Sequence, residues 1–190
     1  MVVAPPKLLT YEEYLAEGEI RERYDIINGE RIVMPNPTED HQDIAFNIAT
    51  PLKTYGQRTG RGKMVIAPQD VLITRRPLRV RQPDVLFISA ERKAQNRPSS
   101  DPAPWSPAPE LVVEILSPSD TRSVLEDKIA DYVSVNVLEL WAVRQGAQTV
   151  EVLRLSPLGA VSEAIYGRGE TVQSLTFPDL TVSVDLIFAE

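Results

Sequence analysis

Stretches with a helical period of apolar residues predict three helices. Each has, at or close to its start, a residue that can cap the first turn, and continues with apolar residues three or four positions apart. These stretches cover residues 8–17, 38–55 and 121–134. Pro51 falls inside the second stretch and predicts a kink or an interruption there, because proline removes a backbone hydrogen bond of the helix.

The remaining apolar runs have the patterns of β-strands. The pair Asn28-Gly29 predicts a tight hairpin over residues 24–34, since both central positions of a type I′ turn need a positive φ angle. Further strands are expected at 63–74, 80–88, 110–116, 137–143 and 148–155, with shorter ones from 160 to 184. This order of elements predicts an α/β fold, leaning towards α+β, with a mixed central sheet flanked by helices.

The length of the chain fits one domain. It has 190 residues, of which 43% are apolar, so we expect a single domain over residues 1–190. Residues 96–109 hold five prolines and predict an extended loop. We interpret this loop as an excursion from one sheet, because a linker at this point would leave strands on both sides without partners.

The lack of cysteine and the single histidine restrict the chemistry. There is no cysteine, which excludes disulfides, thiolate zinc clusters and cysteine nucleophiles and fits a cytoplasmic location. His41 is the only histidine, so a site with several histidine ligands is excluded. A bound metal would therefore have mainly oxygen ligands, which predicts Mg²⁺ or Mn²⁺.

The charge is unevenly distributed. The chain has a net charge of −7, but residues 53–97 carry eleven basic and three acidic residues, a net charge of +8 that leaves −15 elsewhere. One interpretation is a basic surface for nucleic acid; the other is a set of solvated strand edges and loops.

Two carboxylates stand in apolar strands, where an unpaired charge is costly. Asp84 directly precedes the run VLFI, and Glu114 interrupts VVEIL. Burying either one without a partner costs several kcal/mol, so each needs a cation or hydrogen-bond donors. A structural salt bridge would satisfy either residue alone, whereas two acids on consecutive strands of one sheet can converge on a single metal ion.

Lys128 is expected at the same level as Glu114. The strand runs about 7–10 Å beyond Glu114, and the helix then returns about 12 Å from Asp120 to Lys128. An ammonium beside two carboxylates can orient a water molecule or stabilise developing negative charge. The alternative is an exposed lysine among the acidic residues of the same helix.

The chain resembles a known family in several motifs. These motifs are LTYEEYL, RYDIINGERIVM, QPDVLFIS, PELVVEILSPSD and LELWAV. Together they are similar to the Uma family of restriction endonucleases, which belongs to the PD-(D/E)xK nuclease superfamily. The resemblance extends from about residue 9 to residue 188.

The resemblance implies a restriction-endonuclease-like fold and a set of site residues. Asp84 and Glu114 match the metal-binding acids of the superfamily, and Lys128 matches the lysine that this family carries on the helix. Glu30 and His41 also match recurrent positions of the family. The resemblance implies that Glu30 is an auxiliary metal or water ligand, although an exposed acid of the hairpin is the simpler interpretation. It implies that His41 contacts phosphate, for which the alternative is a histidine on a helix surface. The chain departs from the family at Arg144, where an acid is frequent.

The function implied is Mg²⁺- or Mn²⁺-dependent hydrolysis of phosphodiester bonds in DNA. Backbone phosphates would be bound by the basic stretch, including Arg75, Arg76, Arg79 and Arg81. A homodimer is expected, because cutting both strands needs two centres.

Two alternatives stay open. One is a non-catalytic nucleic-acid-binding or interaction module, which ion pairs of Asp84 and Glu114 with arginines would favour. The other is a hydrolase of small phosphoesters or nucleotides, which a narrow pocket would favour over a wide groove.

Overall fold

The chain folds into three β-sheets and five helices within the described residues. A computed structural model describes residues 8–18, 20, 22–95, 107–117 and 120–189. The helices are α1 (Tyr11–Ala16), α2 (Glu39–Thr59), α3 (Ala90–Gln95), α4 (Arg122–Ser134) and α5 (Val184–Ile187). The strands are β1 (Tyr24–Ile27), β2 (Glu30–Val33), β3 (Gly62–Ile66), β4 (Val71–Arg75), β5 (Leu78–Arg81), β6 (Val85–Ser89), β7 (Leu111–Leu116), β8 (Glu139–Arg144), β9 (Thr149–Ser156), β10 (Gly159–Tyr166), β11 (Thr171–Gln173) and β12 (Thr181–Ser183).

The largest sheet is mixed and contains six strands. Its order is β10-β9-β8-β7-β6-β3. Strands β7 and β8 are parallel, whereas the other neighbours in this sheet are antiparallel. A parallel pair needs a crossover connection, and α4 provides it between β7 and β8. This crossover brings α4 back over β7, the strand that carries Glu114.

A second sheet extends from one end of the central sheet. It has the order β2-β1-β5-β4, and its apolar residues pack with those of α1. The turn between β5 and β6 joins the two sheets and contains Asp84. Strands β11 and β12 form a third, two-stranded sheet.

Helices cover both faces of the central sheet. On one face, Ile48 and Leu52 of α2 pack in a cluster with Val113 and Trp141. On the other face, Tyr132 of α4 packs in a cluster with Val112 and other apolar residues. Alternate residues of each strand point to opposite faces. Because helices pack on both faces, the sheet is buried on both sides. This arrangement is the predicted mixed sheet flanked by helices.

Local predictions near the N-terminus are confirmed. Thr10 and Glu13 form a capping box at the start of α1. Asn28 and Gly29 have φ angles of 53° and 85° between β1 and β2. Thr38 caps α2 through the N–H of His41.

Other element boundaries were predicted wrongly. The helix α2 continues past Pro51 to Thr59, because its buried face packs on the sheet on both sides of the proline. The stretches 63–74 and 80–88 each contain two strands that belong to different sheets. Of the predicted loop 96–109, residues 96–106 lie outside the described residues. In the part of the chain that the structure describes, no helix is long and apolar enough to span a membrane.

Candidate active site

Asp84 and Glu114 lie opposite each other where β6 begins. In the antiparallel pairing of β6 with β7, Val85 is the partner of Val113, so the next pair in register is Asp84 and Glu114. Directly opposite residues project to the same face of a sheet. The backbone N–H of Ile115 donates to Asp84 Oδ2 at 2.7 Å, which joins the two strands at this point. The carboxylates are 3% and 2% exposed, so the site is buried.

Glu114 is bound by two side chains of α4. Lys128 Nζ lies 2.7 Å from Glu114 Oε2. The hydroxyl of Tyr132 donates a short hydrogen bond to Oε1. Lys128 and Tyr132 are one helical turn apart, which places them on the same face of α4. The predicted proximity of Lys128 and Glu114 is therefore found in the structure.

Asp84 faces two groups from other elements. Arg23 Nη2, just before β1, lies 2.5 Å from Asp84 Oδ1. His41 Nε2, in the first turn of α2, lies 3.4 Å from the same oxygen. Although these groups are close, Asp84 Oδ1 is buried and accepts no hydrogen bond of acceptable geometry among the described residues.

The two carboxyl groups have pKa values shifted in opposite directions. Burial raises the pKa of Asp84, but the nearby His41 side chain and the charge of Arg23 outweigh burial, so this pKa lies below its usual value. Burial and the negative charge of Asp84 raise the pKa of Glu114, and Lys128 only partly opposes them. Burial lowers the pKa of Lys128, but the charge and hydrogen bond of Glu114, together with the charges of other nearby carboxylates, outweigh burial, so this pKa lies above its usual value and the amine stays protonated.

A network of ion pairs fixes α4 beside β5. Arg79 donates from Nε and Nη2 to the two carboxylate oxygens of Asp131, at 2.8 and 2.7 Å. Arg81 donates to Asp131 at 2.6 Å and to Asp25 at 2.8 Å, and also contacts Asp127. Because Asp127 and Asp131 flank Lys128 on α4, this network, which we call the arginine–aspartate network, helps to set the position of the lysine.

This network contains two of the residues that were predicted to contact phosphate. Arg81 is 4% exposed, and both Arg79 and Arg81 bind carboxylates of the protein, which argues against a contact with a DNA backbone. Arg75 and Arg76 are exposed near α1, where Arg75 stacks over Tyr11 and Arg76 lies 3.4 Å from a Glu12 oxygen. A phosphate contact by these two residues stays a prediction.

The two predicted auxiliary residues have different positions. His41 faces Asp84, with its side chain 16% exposed. Glu30 is exposed at the start of β2, and the described contacts do not join it to Asp84 or Glu114. The hairpin directs Glu30 to solvent, and its role as a metal or water ligand stays a prediction.

Sequence reasoning missed two residues that contact the site carboxylates, Tyr132 and Arg23, and a third, Asp25, whose charge acts on Lys128. Tyr132 was assigned to the apolar face of its helix, and Arg23 and Asp25 were not considered. Asp25 is buried within YDII, which is the same signal that identified Glu114: a carboxylate in an apolar strand. No local pattern identified Arg23.

A cavity of about 750 Å³ opens beside Asp84. Its polar lining includes Arg23 and His41. Three exposed apolar side chains also line it: Val33, Phe46 and Ile66, which are 55%, 66% and 42% exposed. The cavity thus combines charged and polar side chains with exposed apolar ones.

The donor set at this site fits a hard divalent cation. Among the described residues there is no group of three or more His, Asp or Glu side chains close enough to hold a metal ion. Mg²⁺, however, is usually bound through one or two carboxylates together with water and substrate phosphates. The buried Asp84 Oδ1, which lacks a hydrogen bond, could provide one such ligand, and the neighbouring Glu114 carboxylate could provide another.

The fold and the site define the class of protein. It is a mixed α/β protein, with a central mixed sheet flanked by helices and two buried acids on neighbouring strands beside a lysine of the crossover helix. A crystal structure of a putative nuclease belonging to DUF820, from Anabaena variabilis ATCC 29413, is similar, with a TM-score of 0.76 and 18% sequence identity. The similarity covers 95% of this chain and 98% of that one, which shows a common fold.

The family follows from a comparison of the sequence with family models. The model of the Uma2 family, described as "Putative restriction endonuclease", matches residues 10–185. The chain therefore belongs to the Uma2 family. No curated protein matches it. Family and fold together support a nuclease.

Proposed function

We propose that the protein is a metal-dependent endonuclease that hydrolyses phosphodiester bonds in DNA. The observation that carries the proposal is the convergence of Asp84 and Glu114, from opposite strands, with Lys128 hydrogen-bonded to Glu114. Asp84 and Glu114 would hold Mg²⁺ or Mn²⁺, which when bound polarises the phosphate and lowers the pKa of a water ligand. The net reaction adds water across a P–O bond.

Lys128 has the role of a cation and not of a base. Its pKa is raised by Glu114 and other nearby carboxylates, so the ammonium keeps its protons at neutral pH. A protonated amine can donate a hydrogen bond to the attacking water or to a phosphate oxygen, and its charge stabilises the negative charge that develops at phosphorus. His41, on the other side of Asp84, offers a second donor to the phosphate from α2.

The cavity beside Asp84 is the proposed binding site for the nucleotide next to the scissile bond. Phe46 presents an exposed ring at the cavity wall, on which a base can stack. Arg23, His41 and Asp84 also line the cavity, and the phosphate would bind beside them. The chain of the nucleic acid would then continue out of the cavity into solvent.

Two observations favour other functions. The cavity volume of about 750 Å³ is typical of pockets for small ligands, which favours hydrolysis of a nucleotide or another small phosphoester. The ion pair of Asp84 with Arg23 favours a structural role for that carboxylate in a non-catalytic module. Glu114 contacts a lysine and a tyrosine instead of arginine, which favours catalysis.

Action on both strands of a duplex requires two centres, so the proposal includes a homodimer. Light scattering coupled to size exclusion measures the molar mass directly. A mass twice that of the 21.2 kDa chain supports the dimer, and a monomer at micromolar concentration contradicts it.

Nicking of supercoiled plasmid tests the proposed function. The wild type should nick plasmid with Mn²⁺ and not with EDTA, and Lys128→Met should reduce the rate at least about a hundredfold, since positioned electrostatic groups contribute on that scale. Methionine keeps the apolar stem of lysine and removes its charge.

Arg122→Ala is the matched control, because Arg122 is a cation on the same helix with its side chain 91% exposed. It should nick at the rate of the wild type. Equal nicking by Lys128→Met and the wild type would contradict the role of the lysine. Hydrolysis of bis(p-nitrophenyl) phosphate without any nicking would favour the small-phosphoester alternative.

A further inference from the structure

Arg23 lies where a cation bound to Asp84 would lie. Its Nη2 atom is 2.5 Å from Asp84 Oδ1, the same oxygen that accepts no hydrogen bond of acceptable geometry among the described residues. The guanidinium thus neutralises the charge of Asp84 without satisfying its oxygen as an acceptor. A buried ion pair built only for stability normally satisfies both partners with hydrogen bonds.

The guanidinium of Arg23 also lacks part of its hydrogen bonds. Arg23 Nε is buried and has no hydrogen-bond partner among the described residues. Nη2 makes one further contact, a hydrogen bond to the backbone carbonyl of Gln82 at 3.1 Å. Both members of the pair therefore keep unused hydrogen-bonding capacity, which lowers the free-energy cost of separating them.

The backbone of Arg23 is fixed, whereas its side chain has room to move. The carbonyl of Arg23 accepts a hydrogen bond from Met34 N at 2.8 Å, which ties the residue to the hairpin. The side chain is 19% exposed and lines the cavity of about 750 Å³. A change of side-chain rotamer alone can therefore move the guanidinium from Asp84 into the cavity.

We propose that Arg23 is a displaceable counterion of Asp84: a divalent cation replaces it at the carboxylate, and the released guanidinium binds a phosphate of the nucleic-acid substrate. This inference rests on the proposed function and adds to it a phosphate-binding residue and an order of binding. A guanidinium and a divalent cation repel each other at contact distance, so only one of them occupies Asp84 Oδ1. Arginine binds phosphate oxygens in a bidentate manner, and the cavity is where the proposed substrate phosphate enters.

The proposal predicts that removing Arg23 has opposite effects on two affinities. Isothermal titration of metal-free protein with Mn²⁺, without DNA, should show that Arg23→Met binds Mn²⁺ about tenfold more tightly than the wild type, because the competing cation is gone. Binding of a fluorescent oligonucleotide in Ca²⁺ should become at least about fivefold weaker, because a phosphate contact is lost. Arg23→Lys, which keeps the charge, should retain nearly the Mn²⁺ affinity of the wild type.

Arg31→Met is the matched control. Arg31 lies in the same hairpin, its Nε is also buried without a hydrogen-bond partner, and it pairs with Glu17 instead of a site carboxylate. It should leave both affinities unchanged. Thermal unfolding provides a second readout: Mn²⁺ should raise the melting temperature of Arg23→Met more than that of the wild type.

The outcomes separate this inference from the proposed function. Unchanged or weaker Mn²⁺ binding by Arg23→Met, in a preparation whose wild type nicks plasmid, would overturn the inference and leave the endonuclease standing. Tighter Mn²⁺ binding with unchanged oligonucleotide binding would overturn the phosphate contact. A wild type that neither binds Mn²⁺ nor nicks plasmid would overturn both.

Discussion

Lys128 Nζ lies 2.7 Å from Glu114 Oε2, although the lysine is on the crossover helix and the glutamate is in the central sheet. The pair is almost fully buried. The helix α4 therefore contributes a fixed positive charge to a carboxylate that its strand alone could not stabilise. The crossover connection between β7 and β8 thus brings the charge of Lys128 next to the carboxylate of Glu114.

The first prediction concerns the pH dependence of this pair. In EDTA at pH 7, Lys128→Met should lower the free energy of unfolding by about 3–5 kcal/mol, because it leaves an ionised carboxylate buried without its partner. The pKa of Glu114 is already raised by burial and by Asp84. Removing the ammonium raises the pKa of Glu114 further, so Glu114 becomes protonated as the pH falls. A protonated carboxyl group needs no cation, so the loss in free energy of unfolding should be smaller at pH 4.5 than at pH 7. Urea denaturation at the two pH values measures the difference.

Arg122→Ala, on the exposed face of the same helix, should lower the free energy of unfolding only slightly at both pH values. A loss for Lys128→Met that is equal at pH 7 and pH 4.5 would contradict the account of the Glu114 charge.

The second prediction concerns the arginine–aspartate network. Arg81→Met should lower the free energy of unfolding by about 3–5 kcal/mol, because Asp25 and Asp131 would stay buried without their shared cation. Arg76→Ala should change it by less than about 0.5 kcal/mol, since Arg76 is an exposed side chain. Chemical denaturation gives both values. Equal effects would show that the network contributes no more than a surface charge does.

The third prediction concerns the apolar wall of the cavity. Phe46→Ala should weaken the binding of a single-stranded oligonucleotide in Ca²⁺ by about 1–3 kcal/mol, the usual contribution of one stacked base. Leu158→Ala, at a fully exposed apolar residue in the turn between β9 and β10, should leave binding unchanged. Fluorescence anisotropy measures both affinities. If the two substitutions have the same small effect, the base does not stack on Phe46.

The sequence predicts the parts of the fold that depend on neighbouring residues. The capping box at Thr10 and the turn at Asn28-Gly29 are local, and both are found as predicted. The interruption allowed for at Pro51 does not occur, because packing of α2 on the sheet outweighs the lost hydrogen bond. The positions of Asp84 and Glu114 were predictable because an apolar strand tolerates a carboxylate only at a cost.

The sequence does not predict pairings between distant residues. Arg23 meets Asp84, and Arg81 meets Asp131, across about fifty residues or more of intervening chain. No periodicity within a strand or helix reports such contacts, since they depend on how the two sheets meet. For the same reason Arg79 and Arg81 were predicted as phosphate contacts. The sequence gives the positive charge of these residues, but it does not give the carboxylates that neutralise this charge in the fold.

The most direct measurement of the central claim is the rate of Mn²⁺-dependent plasmid nicking by Asp84→Asn, Glu114→Gln and the double variant. If the two carboxylates hold one cation, either single substitution abolishes most of the activity, and the double variant is no slower than the slower single one. Nicking at the rate of the wild type by Asp84→Asn or Glu114→Gln would contradict the claim that these residues form one catalytic site.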